Sequence, residues 1–484
     1  YAEGMSFIQN YFGMPLALIV VSIFFIPRYY GSKVFTAYQY LEKRFDLKVR
    51  TLTSFFFLLQ RGFQSGVTIY APSIILTAVL GWELQPTVIF VGILVILYTV
   101  IGGSKAVSYT QKYQMYVILI GLVVSFYYLN SFIFDQITFS KSFEIIKIFN
   151  KNNAISFSFD PKEKYTLWSG LLGGFFLSLS YFGTDQSQVS RYINAKDQKE
   201  SRIGLIFNAI LKIPFQFLIL YIGILLFVFY SVYQPPVNFN NSLIDYQSKN
   251  NPELLESISK ESKIIFEEKK ELITDYKTDR NLLINKDKEL AMSRKQLEID
   301  ALDSGFAYQR PETDFIFLHF ILNYLPQGLI GLMIALILSA AMSSTSAEIS
   351  ALSAITTIDI YKRFIQKRNN DKSDVLMSRI FTLFWGFISI LVALFFAQQE
   401  NLIESINIIA SLLYGNVLGI FLIAFFLSKI KSNNVFFGSI LSQLTVFIMY
   451  FVLGKSIGYL WFNLIGTVLT CLFSICLYYL ANKK

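Results

Sequence analysis

The stretch from Gly328 to Glu348 is apolar except for a run of hydroxyls. Ser339, Ser343 and Ser346 recur at three- to four-residue spacing, which places them on one face of a helix, and Ser344 is adjacent. Hydroxyls, together with a loosened backbone carbonyl, are hard oxygen ligands. They suit a weakly held, dehydrated monovalent cation such as sodium; too few charges are at hand for calcium or magnesium. Serine-rich helix packing is the competing reading.

A second polar run lies between Trp168 and Arg191. Gly170, Gly173, Gly174 and Gly183 weaken a helix there, and Ser178, Ser180, Tyr181 and Thr184 add polar groups. A helix interrupted near the midplane of a bilayer exposes carbonyls and helix ends, which is one way to make substrate and ion sites. Small-residue packing is again the alternative. Two further charges interrupt apolar runs: Arg61, with Gln64 three residues on, and Lys212, two residues before Pro214. A charge at the bilayer centre costs roughly 2.5–3.5 kcal/mol. Arg61 either snorkels to the surface or serves a gate or a helix contact. Lys212 either snorkels or faces a cavity.

Other chemistry is excluded. The one histidine, His319, cannot build a histidine metal cluster, and Cys471 and Cys476 both lie in the last apolar run. No compact aqueous acid/base pair is evident, so an enzyme is not expected.

These residues must be positioned by membrane helices. Hydrophobic residues make up 54% of the 484, charged residues 15%, and Phe occurs 48 times. Mean hydropathy is +0.49. A soluble core cannot hide that much apolar surface, whereas lipid does not require it to. Apolar runs at about 11–29, 52–80, 86–101, 113–133, 166–183, 203–231, 326–352, 376–397, 403–428, 435–453 and 459–480 predict about eleven spans. The connections 28–51 and 359–380 carry six Lys or Arg each and 185–202 carries four, while 81–86 and 398–402 carry none. Basic loops face the cytoplasm, so the C-terminus is expected inside and residue 1 outside. The loop 135–165, with five lysines, is the exception. An outside start without a signal peptide implies a fragment that lacks preceding spans. Between them, 234–313 is the large aqueous segment; within it, 251–312 holds 14 acids and 11 bases, with apolar residues at helical spacing. One or two amphipathic helices outside the membrane are expected there.

On these residues the chain resembles the sodium:solute symporter family, which includes the sodium/glucose cotransporters. The most specific stretch is Ser339 to Ser344, Ser-Ala-Ala-Met-Ser-Ser, running on to Ile358-Asp359-Ile360-Tyr361. Tyr40 to Asp46, Gly102-Gly103 with Lys105-Ala106-Val107 and Thr110, and Tyr181 to Gln186 with Arg191 support it. The resemblance implies an all-α polytopic membrane protein with the leucine-transporter-type five-plus-five inverted repeat. Residues 1–233 would hold core helices two to seven, 234–313 a charged extracytoplasmic insert, 314–428 core helices eight to ten, and 429–484 two peripheral helices. The first core helix would be absent.

Carried over residue by residue, the resemblance implies a sodium site from the carbonyl of Ala340 and the hydroxyls of Ser343 and Ser344. It implies an aromatic inner gate at Tyr181 and substrate contacts at Ser178 and Lys212. Arg61, Gln64 and Thr184 are further intramembrane polar candidates. Gln111 stands where relatives often carry Asp, so a second sodium site is not expected, and Tyr11 replaces an acidic sugar contact, which disfavours sugar. The implied function is sodium-coupled import of a small solute by alternating access in the plasma (inner) membrane. Sodium is the coupling ion, and the partners are the solute and the bilayer; no nucleic acid or obligate protein partner is expected. A proton-coupled carrier on the same fold is the main alternative, weakened by the scarcity of buried carboxylates. A membrane enzyme is the lesser one, and a sensor has no signalling part in this chain.

Overall fold

The computed structural model describes the chain except Ala2, Asn194, 276–278, 307–311, 366–370, 397–401, 454–455 and 483–484. The side chains of Ala78, 103–110, Lys112, Asp371, Phe396 and 402–405 also lie outside the description, and with them the family stretch from Gly103 to Thr110. Among the described residues all regular structure is helical. Among the described residues, nine helices are long and apolar enough to cross a membrane. The remaining two expected spans are helical as well. Residues 52–80 fall in the Leu47–Leu80 helix, whose middle carries Gln60, Arg61, Gln64 and Ser65. Residues 166–183 fall in a π turn, Ser169–Gly173, followed by an eleven-residue helix, Gly174–Thr184.

Backbone geometry is helical from Leu84 to Gln136. Laid straight, that length would be about 80 Å. Its two ends instead reach the same region. Leu84 lines a cavity with Asn240 and Phe315, while Phe132 packs on Tyr233 and Tyr324. The two apolar halves therefore run antiparallel. The first meets the Asp371–Phe396 helix, where Gly92 abuts Ile390. The second meets the Gln327–Ile355 helix, where Gly121 abuts Met333.

The Lys/Arg-rich connections gather at one end of the molecule. Arg50 pairs with Asp359 and Glu42, Arg363 with Glu42, and Gln186 bonds the backbone of Ala37 and Phe35. The opposite end carries the charged insert. It forms three helices rather than the one or two expected: Asn241–Asn250, Pro252–Thr274 and Arg280–Asp303. Their apolar residues close small cores of their own, around Leu243, Ile258 and Leu297 and around Ile265, Phe266 and Leu290. Loop 135–165 contributes one further helix, Phe139–Ile148.

The glycines near residue 170 serve close packing. A Cβ on Gly170 would lie 1.9 Å from the carbonyl oxygen of Gln9, and one on Gly13 would lie 2.2 Å from the amide of Phe175. The Ser6–Tyr11 and Met14–Val20 helices thus seat directly on the backbone of the Ser169–Thr184 segment. The break falls later than the glycines suggest. Helical backbone stops at Asp185 (φ −77°, ψ 122°) and resumes over Gln186–Ile193.

Candidate functional site

On the Gln327–Ile355 helix the serines have separated duties. The hydroxyl of Ser344 donates to the carbonyl of Ala340 at 3.1 Å, and Thr345 donates to Ala341 at 2.9 Å. This return to the preceding turn is the ordinary way a helical hydroxyl is satisfied. Ser339 and Ser346 face neighbouring helices. Gln114 donates to both the carbonyl and the hydroxyl of Ser339, at 3.1 and 2.6 Å, and Thr99 donates to the hydroxyl of Ser346 at 2.8 Å. Ser343 differs: its hydroxyl is buried and has no protein partner among the described residues. The carbonyl one turn back, that of Ser339, already accepts from Gln114. A buried unpaired hydroxyl costs about 1–3 kcal/mol, so its persistence points to a ligand or to water. Ser344 and Ala340 are less enclosed, Ser344 being exposed and Ala340 half-buried.

The break at Asp185 holds the second constellation. Arg61 does not snorkel. Its Nε donates to Asp185 Oδ2 at 2.7 Å, its Nη1 to Glu348 Oε1 at 2.8 Å and its Nη2 to Tyr414 Oη at 3.1 Å. The Tyr414 hydroxyl donates to Asp185 Oδ2 at 2.6 Å, and the amide and hydroxyl of Ser187 donate to Oδ1 at 2.8 and 2.6 Å. Thr68 Oγ1 lies 3.1 Å from Glu348 Oε2. The guanidinium also sits over the Tyr181 ring, 5.3 Å from its centroid. Tyr181 accepts a 2.8 Å bond from Gln188. Four separate elements are thereby joined around one guanidinium, whose planar fork suits several acceptors at once.

The other expected residues lie as follows. Ser178 is buried on the Gly174–Thr184 helix. Thr184 returns its hydroxyl to the carbonyl of Ser180 at 2.8 Å. Gln64 donates to the carbonyl of Ile406 at 3.2 Å, and its own buried oxygen has no partner. Lys212 is half-buried with its ammonium 5.2 Å from the Tyr11 ring centroid. The structure therefore brings Arg61 and Tyr181 together, and Lys212 together with Tyr11. Reading residues missed Glu348 and Tyr414, and it undercounted buried carboxylates: Asp185, Glu348 and Asp359 are all largely enclosed. Arg61 itself was the available signal, since an intramembrane arginine demands acids nearby.

A cavity of about 530 Å³ opens toward the basic end, lined by Gln111, Gln186, Ser190, Arg191, Ser353 and Arg379 among others. Outside the membrane-spanning helices, His319 bonds the Tyr230 hydroxyl through Nδ1 at 2.7 Å, and burial pulls its pKa down to about 4. Glu312 is raised by burial although Arg294 pairs with it at 2.8 Å.

The sodium:solute symporter family matches residues 1–249 and 306–442. The human sodium/iodide cotransporter is 28% identical over 235 residues, 49% of this chain and 36% of the relative. The bovine sodium-coupled monocarboxylate transporter 2 is 30% identical over 212 residues, 43% of this chain and 33% of the relative. The sodium/sialic acid symporter NanT of Aliivibrio fischeri is 22% identical over 477 residues, 97% and 78% of the two chains. The chain thus spans about a third of the length of the first two. Among solved structures, a sodium-coupled sialic acid symporter in a substrate-bound outward-open state superposes with a TM-score of 0.72 at 22% identity, covering 99% of this chain and 84% of that one. The all-α polytopic fold expected from the sequence is the one found, and the chain belongs to the sodium:solute symporter family.

Proposed function

We propose that the complete protein is a symporter that uses sodium to drive import of a small solute by alternating access. One observation carries the reading: Ser343 presents a buried hydroxyl with no protein partner among the described residues, beside Ser344 and the Ala340 carbonyl, on the helix with the family's most specific stretch. Sodium would be held by the Ala340 carbonyl and the Ser343 and Ser344 hydroxyls. The Ser344 hydroxyl would turn its proton away from the Ala340 carbonyl, so that both oxygens face the ion. Bound sodium would stabilise one arrangement of the helices over another, and it can shift that balance only by its differential affinity for the two.

Tyr181, held by Gln188 and backed by Arg61, would close the solute's inward path, with Ser178 and Lys212 contacting solute. The cavity at the basic end would receive the solute on release. Its Arg191 and Arg379, with no acid among its lining residues, favour an anionic solute. The names of the iodide, monocarboxylate and sialic acid relatives agree with that class. The membrane would be the plasma (inner) membrane, with the basic end and the C-terminus in the cytoplasm. Each elementary charge moving inward gains about 2.3 kcal/mol per 100 mV.

The experiment is uptake by the complete protein in vesicles, using radiolabelled iodide, short-chain monocarboxylates and sialic acid, with an inward sodium or potassium gradient. Accumulation of any of these with sodium and not with potassium is expected. Equal uptake under both gradients would refute sodium coupling.

A further inference from the structure

The Arg61 cluster contains more negative charge than positive. Asp185 and Glu348 are both acids, and among the described residues Arg61 is the one base that bonds them. Side-chain exposure is 0% for Asp185, 5% for Arg61 and 12% for Glu348, so solvent supplies little compensation. An unbalanced charge at this depth is costly and calls for a further cation.

The hydrogen bonds say which acid takes it. Asp185 is saturated by donors from Arg61, Tyr414 and Ser187. Among the described residues Glu348 has only Arg61 on Oε1 and Thr68 beside Oε2. Thr68 Oγ1 also lies 2.9 Å from the carbonyl of Ser65. A threonine hydroxyl has one proton and cannot donate to both. If Glu348 is ionised, one of these two contacts is oxygen against oxygen with no hydrogen between. If Glu348 carries a proton on Oε2, it donates to Thr68, Thr68 donates to Ser65, and both contacts become hydrogen bonds. A second observation agrees: Gln64, between Arg61 and Thr68 on the same helical face, has a buried oxygen without a partner among the described residues. It marks this face as one where an incoming hydrogen-bond donor would be accepted.

We infer that Glu348 is a proton-binding site, with Thr68 as the acceptor of its proton, so that the cluster passes between a neutral and a singly negative state. The proton comes from the aqueous phase and returns to it; no bond to a heavier atom is made or broken. The titratable and charged neighbours that face Glu348 are Arg61 on the Leu47–Leu80 helix, Asp185 at the helix break, and, through Arg61, Tyr181 and Tyr414. Arg191 and Arg379 line the nearby cavity with Ala347. The Leu84–Gln136 helix brings Thr99 and Gln114, neither of them titratable, to the face of the serine helix that carries Ser339 and Ser346.

A consequence rests on the sodium reading above. Glu348 follows Ser344 by four residues, one helical turn. Its negative charge would strengthen sodium binding, and its protonation would weaken that binding by roughly tenfold or more. Proton and sodium would then compete across one turn of helix.

The test is infrared difference spectroscopy on the complete protein in nanodiscs, titrated from alkaline to acid pH without sodium. A carbonyl band of a protonated carboxylic acid, one that titrates apart from those of the exposed carboxylates, should appear in the parent. It should vanish in Glu348→Gln, persist in Asp185→Asn, and move to lower pH in Thr68→Val. A band that survives in Glu348→Gln, or no titrating band in the parent, would overturn the assignment. Sodium affinity measured across the same pH range then tests the competition. It should weaken in acid in the parent and become independent of pH in Glu348→Gln; the same pH dependence in both would overturn it. The infrared result needs no sodium, so loss of the sodium reading would leave it intact.

Discussion

Ser343 and Arg61 illustrate how differently single residues announce themselves. Arg61 was conspicuous as a charge in an apolar run, but its sequence neighbours gave no hint of its partners. Those partners come from 124, 287 and 353 residues away. Ser343 was one of several equivalent serines, and only packing distinguishes it, because Gln114 claims Ser339 and Thr99 claims Ser346. Two outcomes follow. Ser343→Ala removes an unsatisfied buried hydroxyl, so thermal stability without sodium should hold or rise, by up to about 1–3 kcal/mol. Arg61→Met leaves two buried acids without their base, and melting should show a loss of about 3–5 kcal/mol. Near-equal melting of Arg61→Met and the parent would mean that the cluster is not closed as described.

At the scale of elements, runs of apolar residues located the nine helices that, among the described residues, are long and apolar enough to cross a membrane. They did not reveal where the Ser169–Thr184 segment breaks, since glycines needed for close packing resemble glycines that loosen a helix. Substitution separates the two roles. Gly170→Ala drives a Cβ into the Gln9 carbonyl, whereas Gly204 on the Gln198–Val232 helix has nothing within 4 Å. Melting temperature should fall markedly for Gly170→Ala and hold or rise for Gly204→Ala, where alanine gains about 1 kcal/mol in helix propensity. The Ile316–Tyr324 helix gives a prediction in pH. His319 holds its proton only below about 4 when folded, against 6.5 ordinarily. The unfolded chain therefore binds more protons between those values, and stability is complete above 6.5 and declines as pH falls toward 4. Chemical denaturation followed across that range should show the decline in the parent and a flatter profile in His319→Gln. An equal slope in both would remove His319 as the cause.

For the whole molecule, charge counts were enough to gather the basic connections at one end and the insert at the other, because each loop's composition is a local property. What joins the ends of the helices was not legible. The pairs Arg50–Asp359 and Arg363–Glu42 link segments more than 300 residues apart, and they close the basic end around the cavity. Together with the Arg61 cluster, they make two layers of ion pairs. The most direct measurement of the account is equilibrium binding of radioactive sodium to the complete protein, parent against Ser343→Ala, with lithium and potassium as competitors. Saturable binding in the parent and at least about tenfold weaker binding in Ser343→Ala is the predicted result, the loss expected when a charged ligand forfeits one oxygen. Equal sodium affinity in the two proteins would contradict it.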